Sequence, residues 1–301
     1  MKRIVALLFS LLLGGVINAS AALRVVATTP DLGAIAAAVG GDKVQVTSLA
    51  RGTEDPHFVD AKPSFAVTLN KADVLIEGGA ELEIAWLSPL VDNARNRKII
   101  RGGAGRVDAS EGVTMLDVPT GKVDRSDGDV HAAGNPHYLL DPGNGKIVAR
   151  HLAAHFSKLD AANAAAYAKN LSAFETALEA KDKEWMALLQ PFKGVKLVTY
   201  HKSYEYFARH FGFEVAGQIE RKPGVEPSPT HINALIPRMK EQGVKLVIAE
   251  PNRSKQTSEY VAKELGVKTL YLPILVGGNE EAADYIKLID YNVRTVAQAL
   301  K

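Results

Sequence analysis

The chain has 301 residues, a formal net charge of +2, 47% hydrophobic and 23% charged residues, and no cysteine. That is the composition of an ordinary globular protein, and it excludes disulfides, thiolate metal ligands and a cysteine nucleophile. Acidic and basic residues are interspersed, and no basic stripe or aromatic-basic module marks a nucleic-acid partner.

In chain order, residues 1–22 read as a secretory signal peptide. Lys2 and Arg3 form its basic end, Ile4 to Leu13 an apolar run, and Ala19-Ser20-Ala21 a small-x-small cleavage pattern. The apolar run is too short for a membrane span, and there is no cysteine to accept a lipid. The expected product is a soluble periplasmic protein of about 280 residues, a length that suggests two domains.

Leu23 to Thr29 reads as a strand, Leu32 to Val39 as a helix, Val44 to Ala50 as a strand, Ser64 to Lys71 as a helix and Ala72 to Glu77 as a buried strand. This alternation predicts parallel βαβ units. Gly145 to Leu159 is helical. From Asp160 to Leu189 there follows a segment without proline or glycine, in which Leu171, Phe174, Leu178, Trp185 and Leu188 recur at helical spacing. Asp160 is the expected N-cap, and Pro191 and Gly194 lie just beyond the end.

The strand–helix pattern then restarts. Strands are expected at Val195–Tyr200, Phe213–Ile219, Val244–Ala249 and Val267–Leu272, with helices at Ser203–Phe211, Thr230–Gln242, Thr257–Leu265 and Ala282–Leu300. The expected architecture is α/β: two Rossmann-like lobes, residues 23–159 and 191–301, joined by a long rigid helix over residues 160–190.

Ligands of open α/β sheets collect beyond the carboxyl ends of the strands. Of eight histidines, His57 follows the second strand, His137 lies in Asn135-Pro136-His137-Tyr138, and His201 directly follows Val198-Thr199-Tyr200. One loop histidine is ordinarily a solvated side chain, but three in cleft-facing loops suit a metal ion held by neutral imidazole. His151 and His155 sit four apart on one helix without the intervening Glu of a zincin motif, and read as a solvated or packing face. His210 and His231 read as helix-surface residues.

Five segments in order carry a family resemblance. They are Asp55-Pro56-His57 with Lys62-Pro63-Ser64; Asn135-Pro136-His137-Tyr138 with Leu140-Asp141-Pro142; Val198-Thr199-Tyr200-His201 with Tyr204 and Tyr206-Phe207; Glu226-Pro227-Ser228-Pro229; and Ala249-Glu250-Pro251-Asn252. Over essentially all of the mature sequence the chain resembles the metal-binding solute-binding proteins of zinc and manganese ABC transporters. The resemblance implies two α/β lobes on a rigid helix with the metal in the interlobe cleft. It implies His57 and His137 as ligands from the first lobe and His201 as the ligand from the second. It further implies a monomer that serves an inner-membrane permease and its ATPase. Histidine at position 201 resembles the zinc-type members, so the expected cargo is Zn2+, with Mn2+ as the alternative.

The fourth position departs from the family pattern. An acid is usual after the last strand, but here the stretch reads Leu272-Pro273-Ile274-Leu275-Val276-Gly277-Gly278. Glu250, Glu280, Glu281 and solvent are the candidates, and the family acid at the place of Glu250 can instead orient a ligand histidine. His131 lies where zinc-type members carry a His- and acid-rich loop, and with few acids around it reads as a solvated histidine. Two rivals remain. A zinc hydrolase would use three histidines and an open position, but the chain has no His-Glu-x-x-His motif. A binding protein for a metal chelate would explain the missing acid.

Overall fold

The computed structural model describes residues 21–123, 128 and 130–301, so nearly all of the signal-peptide expectation lies outside the described residues. None of the helices described is long and apolar enough to cross a membrane.

Short apolar runs make the first sheet: β1 (Leu23–Ala27), β2 (Val44–Ser48), β3 (Val74–Glu77) and β4 (Arg106–Asp108), in the order β2-β1-β3-β4. Every pairing is parallel, with Val25 opposite Val46 on one side and Val74 on the other. Continuous runs such as Val74-Leu75-Ile76 are what a parallel strand buried on both faces requires, and all three side chains are fully buried. Helices α1 (Pro30–Gly40), α2 (Pro63–Asn70), α3 (Leu87–Ala94) and α4 (Pro142–Leu159) belong to this lobe. Proline opens α1, α2 and α4 at the position where a missing N–H costs nothing.

The second sheet repeats the plan with β5 (Lys196–Thr199), β6 (Glu214–Gln218), β7 (Leu246–Ala249) and β8 (Lys268–Tyr271), again all parallel, in the order β6-β5-β7-β8. Its helices are α6 (Glu205–Phe211), α7 (Pro229–Glu241), α8 (Lys255–Leu265) and α9 (Tyr285–Leu300), with α5 (Ala164–Leu189) between the lobes. Ser228, Ser254 and Asp284 accept backbone N–H bonds at the starts of α7, α8 and α9. In each sheet the strand order reverses between two central strands, β1/β3 and β5/β7, and a binding crevice opens beyond their carboxyl ends.

Helix α5 has 26 residues, about 39 Å of rise. It packs on α1 and α4 of the first lobe and on α9 of the second. Its buried stripe is Tyr167, Phe174, Leu178, Trp185 and Leu189. One cluster of buried apolar side chains runs from β1 and β3 through this stripe to Leu197, Leu246 and α9. A shared core of this kind opposes wide hinge motion.

Asp160 is not the N-cap of the long helix. It closes α4, and a short 3-10 turn (Ala161–Asn163) intervenes before α5 begins. Its carboxylate instead accepts from Asn163 Nδ2 at 2.7 Å and from the Tyr167 hydroxyl at 2.8 Å, which fastens the corner between the two helices. Helical periodicity continues across the corner, so the pattern alone does not show it.

Candidate metal centre

Each of the three strand-end histidines is positioned by its own local sequence. In Asp55-Pro56-His57 the Asp55 Oδ1 accepts from the His57 backbone N–H at 3.0 Å, and the Pro56 carbonyl is held by Trp86 Nε1 at 3.0 Å. In Asn135-Pro136-His137 the Asn135 Oδ1 accepts from the His137 N–H at 3.0 Å, while its Nδ2 donates across the cleft to the Lys202 carbonyl at 2.8 Å. Tyr138 then donates to the Gly78 carbonyl at 2.7 Å and Tyr206 to the Asn135 carbonyl at 2.8 Å, so this turn is fixed to both lobes. His201 lies just beyond the end of β5, where the Tyr200 N–H bonds to the Ile248 carbonyl at 2.8 Å.

The fold brings these side chains together. One ring nitrogen from each of His57, His137 and His201 lies within 4.8 Å of the other two. The Nε2 atoms of His137 and His201 are 3.2 Å apart. Donors about 2.0–2.1 Å from a tetrahedral ion stand about 3.3 Å apart, so the His137–His201 pair already has the spacing coordination needs. All three are buried, at 4%, 9% and 3% exposure.

Two of the rings are oriented from behind. His57 Nδ1 is 2.9 Å from Asp55 Oδ1, and His201 Nδ1 is 2.8 Å from Glu220 Oε2. A carboxylate at Nδ1 holds the proton there and leaves Nε2 as a lone pair facing the cluster. Burial, reinforced by the neighbouring His57, drives the pKa of His137 and of His201 well below the usual histidine value. Burial works against the ionised form of Asp55, yet the His57 hydrogen bonds and the Arg253 charge hold its carboxyl well below the carboxylate range. Imidazoles kept uncharged at His137 and His201, with carboxylates close behind the cluster, suit a cationic guest.

Glu250 is not brought into the cluster of ligand atoms. It is fully buried after β7, burial raises its pKa to about 6, and its carboxylate faces Arg253 Nε at 3.6 Å. Glu280 and Glu281 are exposed. Ile274 and Leu275 instead line a small cavity beside His137. His131, expected in solvent, stacks on His57 with ring centroids 5.1 Å apart and Nε2 atoms 3.1 Å apart. It lines one pocket with His137 and His201, and burial lowers its pKa to about 4. His210, expected on a helix surface, is half-buried and bridges Asp141 and Asp182. His151 and His155 remain partly buried on α4, with Glu111 3.5 Å from His151 Nε2.

Sequence reasoning missed Glu220 and Arg253. Glu220 follows β6 inside Glu220-Arg221-Lys222 and reads as one charge of a solvated run. A carboxylate one residue beyond an expected strand end was the available signal.

Two parallel α/β lobes on one long helix, with histidines of both lobes meeting in the cleft, are the fold and site of a two-lobed binding protein that could hold a metal ion. Residues 25–299 match the family described as zinc-uptake complex component A, periplasmic, and the chain belongs to that family. Among similar proteins, the high-affinity zinc uptake system protein ZnuA of Paracoccus denitrificans is 28% identical over 76% of this chain and 76% of its own length. The manganese ABC transporter substrate-binding lipoprotein PsaA of Streptococcus mitis is 26% identical over 92% of this chain and 89% of its own. Among solved structures, the solute-binding protein FpvC of Pseudomonas aeruginosa in complex with Ni2+ superposes with a TM-score of 0.78 at 25% identity, covering 92% of this chain and 96% of that one. Relatives at similar distance are thus named for different metals.

Proposed function

We propose that this protein captures Zn2+ in the periplasm through His57, His137 and His201 and delivers it to an inner-membrane permease. The observation that carries the reading is the meeting of three buried imidazoles from two lobes, with ligand nitrogens within 4.8 Å of one another. An all-nitrogen set favours zinc over manganese, which prefers oxygen donors. His131, whose Nε2 lies 3.1 Å from that of His57, is our candidate for the fourth donor, and it must move to join the cluster of His57, His137 and His201. Glu250 takes the lesser part of a buried anion behind the ligands. Nitrogen donors also suit nickel, and the FpvC complex with Ni2+ makes nickel the second cargo to test. Relatives named as substrate-binding proteins support a protein that acts by binding rather than turnover.

The test is a titration of the purified protein with Zn2+, Ni2+ and Mn2+ in competition with a chelating dye. One zinc per chain, bound more tightly than manganese and lost in the His57→Ala, His201→Ala double variant, is the expected result. Manganese preferred over zinc would overturn the cargo, and no metal binding at all would overturn the function.

A further inference from the structure

Behind the histidines lies a group that no strand-end argument singles out. Arg253 stands in the turn between β7 and α8, with its side chain 17% exposed. Its guanidinium meets three carboxylates: Nη2 to Asp55 Oδ2 at 3.2 Å, Nη1 to Glu220 Oε1 at 3.3 Å, and Nε to Glu250 Oε2 at 3.6 Å. Asp55 spends its other oxygen on His57, and Glu220 spends its other oxygen on His201. The connections therefore run His57–Asp55–Arg253–Glu220–His201, a closed bracket that begins on the first lobe and ends on the second.

Taking the histidine cluster as the metal site of the proposed function, we propose that Arg253 is its positioning residue. One guanidinium fixes both orienting carboxylates and thereby sets the distance and angle between the ligand of one lobe and the ligand of the other. The geometry suits arginine: Asp55 and Glu220 lie at 3.2 and 3.3 Å from separate nitrogens, and Glu250 at 3.6 Å makes a looser ion pair with no hydrogen bond. Three carboxylates approach three different nitrogens of one planar fork, which a lysine ammonium, a compact point charge, does not reproduce. Without the guanidinium, Asp55 and Glu220 would face each other as like charges in a buried space, and both imidazoles would lose their fixed orientation. The bracket also supplies charge. Three carboxylates against one guanidinium place more acidic than basic groups behind the imidazoles, although no carboxylate lies among the ligand atoms.

This assigns the role of the missing fourth acid differently from direct ligation. The anionic charge stays in the site but one bond further out, and Arg253 keeps it from collapsing onto the metal. Glu250 belongs to the same arrangement as the third carboxylate on the fork.

The experiment compares the purified protein with Arg253→Met, Arg253→Lys, Asp55→Asn and Glu220→Gln, together with the doubles Arg253→Met/Asp55→Asn and Arg253→Met/Glu220→Gln. Zinc affinity and zinc release are measured by dye competition, the ligand field by the visible spectrum of bound Co2+, and folding by thermal melting of the metal-free protein. Arg253→Met is expected to weaken zinc binding about 10- to 100-fold, the range for residues that orient metal ligands, and to shift the Co2+ spectrum. Arg253→Lys is expected to recover only part of the affinity. The doubles are expected to be little worse than Arg253→Met alone, because the carboxylates act through the same bracket.

Wild-type zinc affinity with an unchanged Co2+ spectrum in Arg253→Met overturns the proposal, and so does a lowered melting temperature without any change at the metal. Additive doubles overturn it too. If Arg253→Met does not fold, Arg253→Lys carries the same comparison. Failure of the parent protein to bind zinc is a separate result, which strikes at the proposed function and not at the bracket.

Discussion

His210, on α6 of the second lobe, places its Nε2 2.7 Å from Oδ1 of Asp182 on the long helix. Its Nδ1 lies 2.9 Å from Oδ1 of Asp141, the residue that caps α4 in the first lobe. One imidazole thus ties both lobes to the helix that joins them. Burial opposes its charge, but the bonds to Asp141 and Asp182 prevail and raise its pKa to about 9.

A histidine raised in the folded state stabilises fully below its unfolded pKa of about 6.5 and loses that contribution as pH rises through the folded value. Stability should therefore fall by about 2 kcal/mol between about pH 6.5 and pH 9, a figure reduced from the full shift because the group is partly solvated. His210→Gln should flatten that part of the profile. Urea denaturation at half-unit pH steps checks it, and an unchanged slope in the variant would show that the tie contributes nothing.

Glu83 is a second titrating group, buried in the first lobe. One oxygen, Oε1, accepts from the Thr28 hydroxyl at 2.5 Å and from the Gly78 N–H at 2.6 Å. Burial nevertheless raises its pKa to about 7. For a carboxyl raised by folding, stability is highest at acidic pH and falls as pH rises from the unfolded value of about 4.5 through the folded value. Glu83→Gln keeps an oxygen for both donors and removes the charge. It should stabilise the protein by about 1–3 kcal/mol at pH 8 and by little at pH 5. Equal melting shifts at both pH values would contradict the assignment.

The order of importance among the histidines is a third expectation. His201 is oriented by Glu220 and stands 3.2 Å from His137, whereas no carboxylate contact to His131 is seen among the described residues. A ligand held by its neighbours contributes more to affinity than one that must be ordered on binding. His201→Ala should therefore reduce zinc affinity far more than His131→Ala, which should cost about 10-fold or less and act mainly by speeding release. Stopped-flow transfer of zinc to a chelator measures both, and a His131 variant as crippled as the His201 variant would place His131 among the principal ligands.

The meeting of His57, His137 and His201 was legible because each follows a strand or a fixed turn, and the parallel βαβ pattern says where such ends converge. The two lobes were legible for the same reason: runs such as Val74-Leu75-Ile76 declare a doubly covered strand. What escaped was non-local or short. The partners of Arg253 are Asp55 and Glu220 in other elements, and no periodicity connects them. His210 reads as exposed because its aspartates lie on α5 and at the head of α4. Strand β4 is three residues long, and α3 carries Pro89 in its first turn, so neither stands out as a pattern. His131 stands almost alone in its loop, and only the packing of that loop on His57 distinguishes it from a solvated side chain.

The final expectation concerns the closeness of the lobes beside the site. Gly52 belongs to the loop that leads to His57, and a Cβ built on it would lie 2.2 Å from the Val276 carbonyl oxygen and 2.3 Å from the Gly277 carbonyl carbon of the second lobe. Backbone meets backbone there, with no flexible side chain to give way. Gly52→Ala must therefore push the loop and its histidine away from the second lobe. Overpacking of this kind costs about 1–3 kcal/mol, and a functional constellation tolerates only about 0.5 Å of displacement. Zinc affinity should fall about 10-fold or more although no ligand is altered, with the metal-free protein melting a few degrees lower. The contrast is Gly243→Ala: no atom lies within 4 Å of the added Cβ, and only its positive φ of 69° makes the substitution costly. That variant should lose stability and keep its zinc affinity. If Gly52→Ala bound zinc as the parent does, the spacing of the lobes at this contact would have no part in holding His57 against His137 and His201.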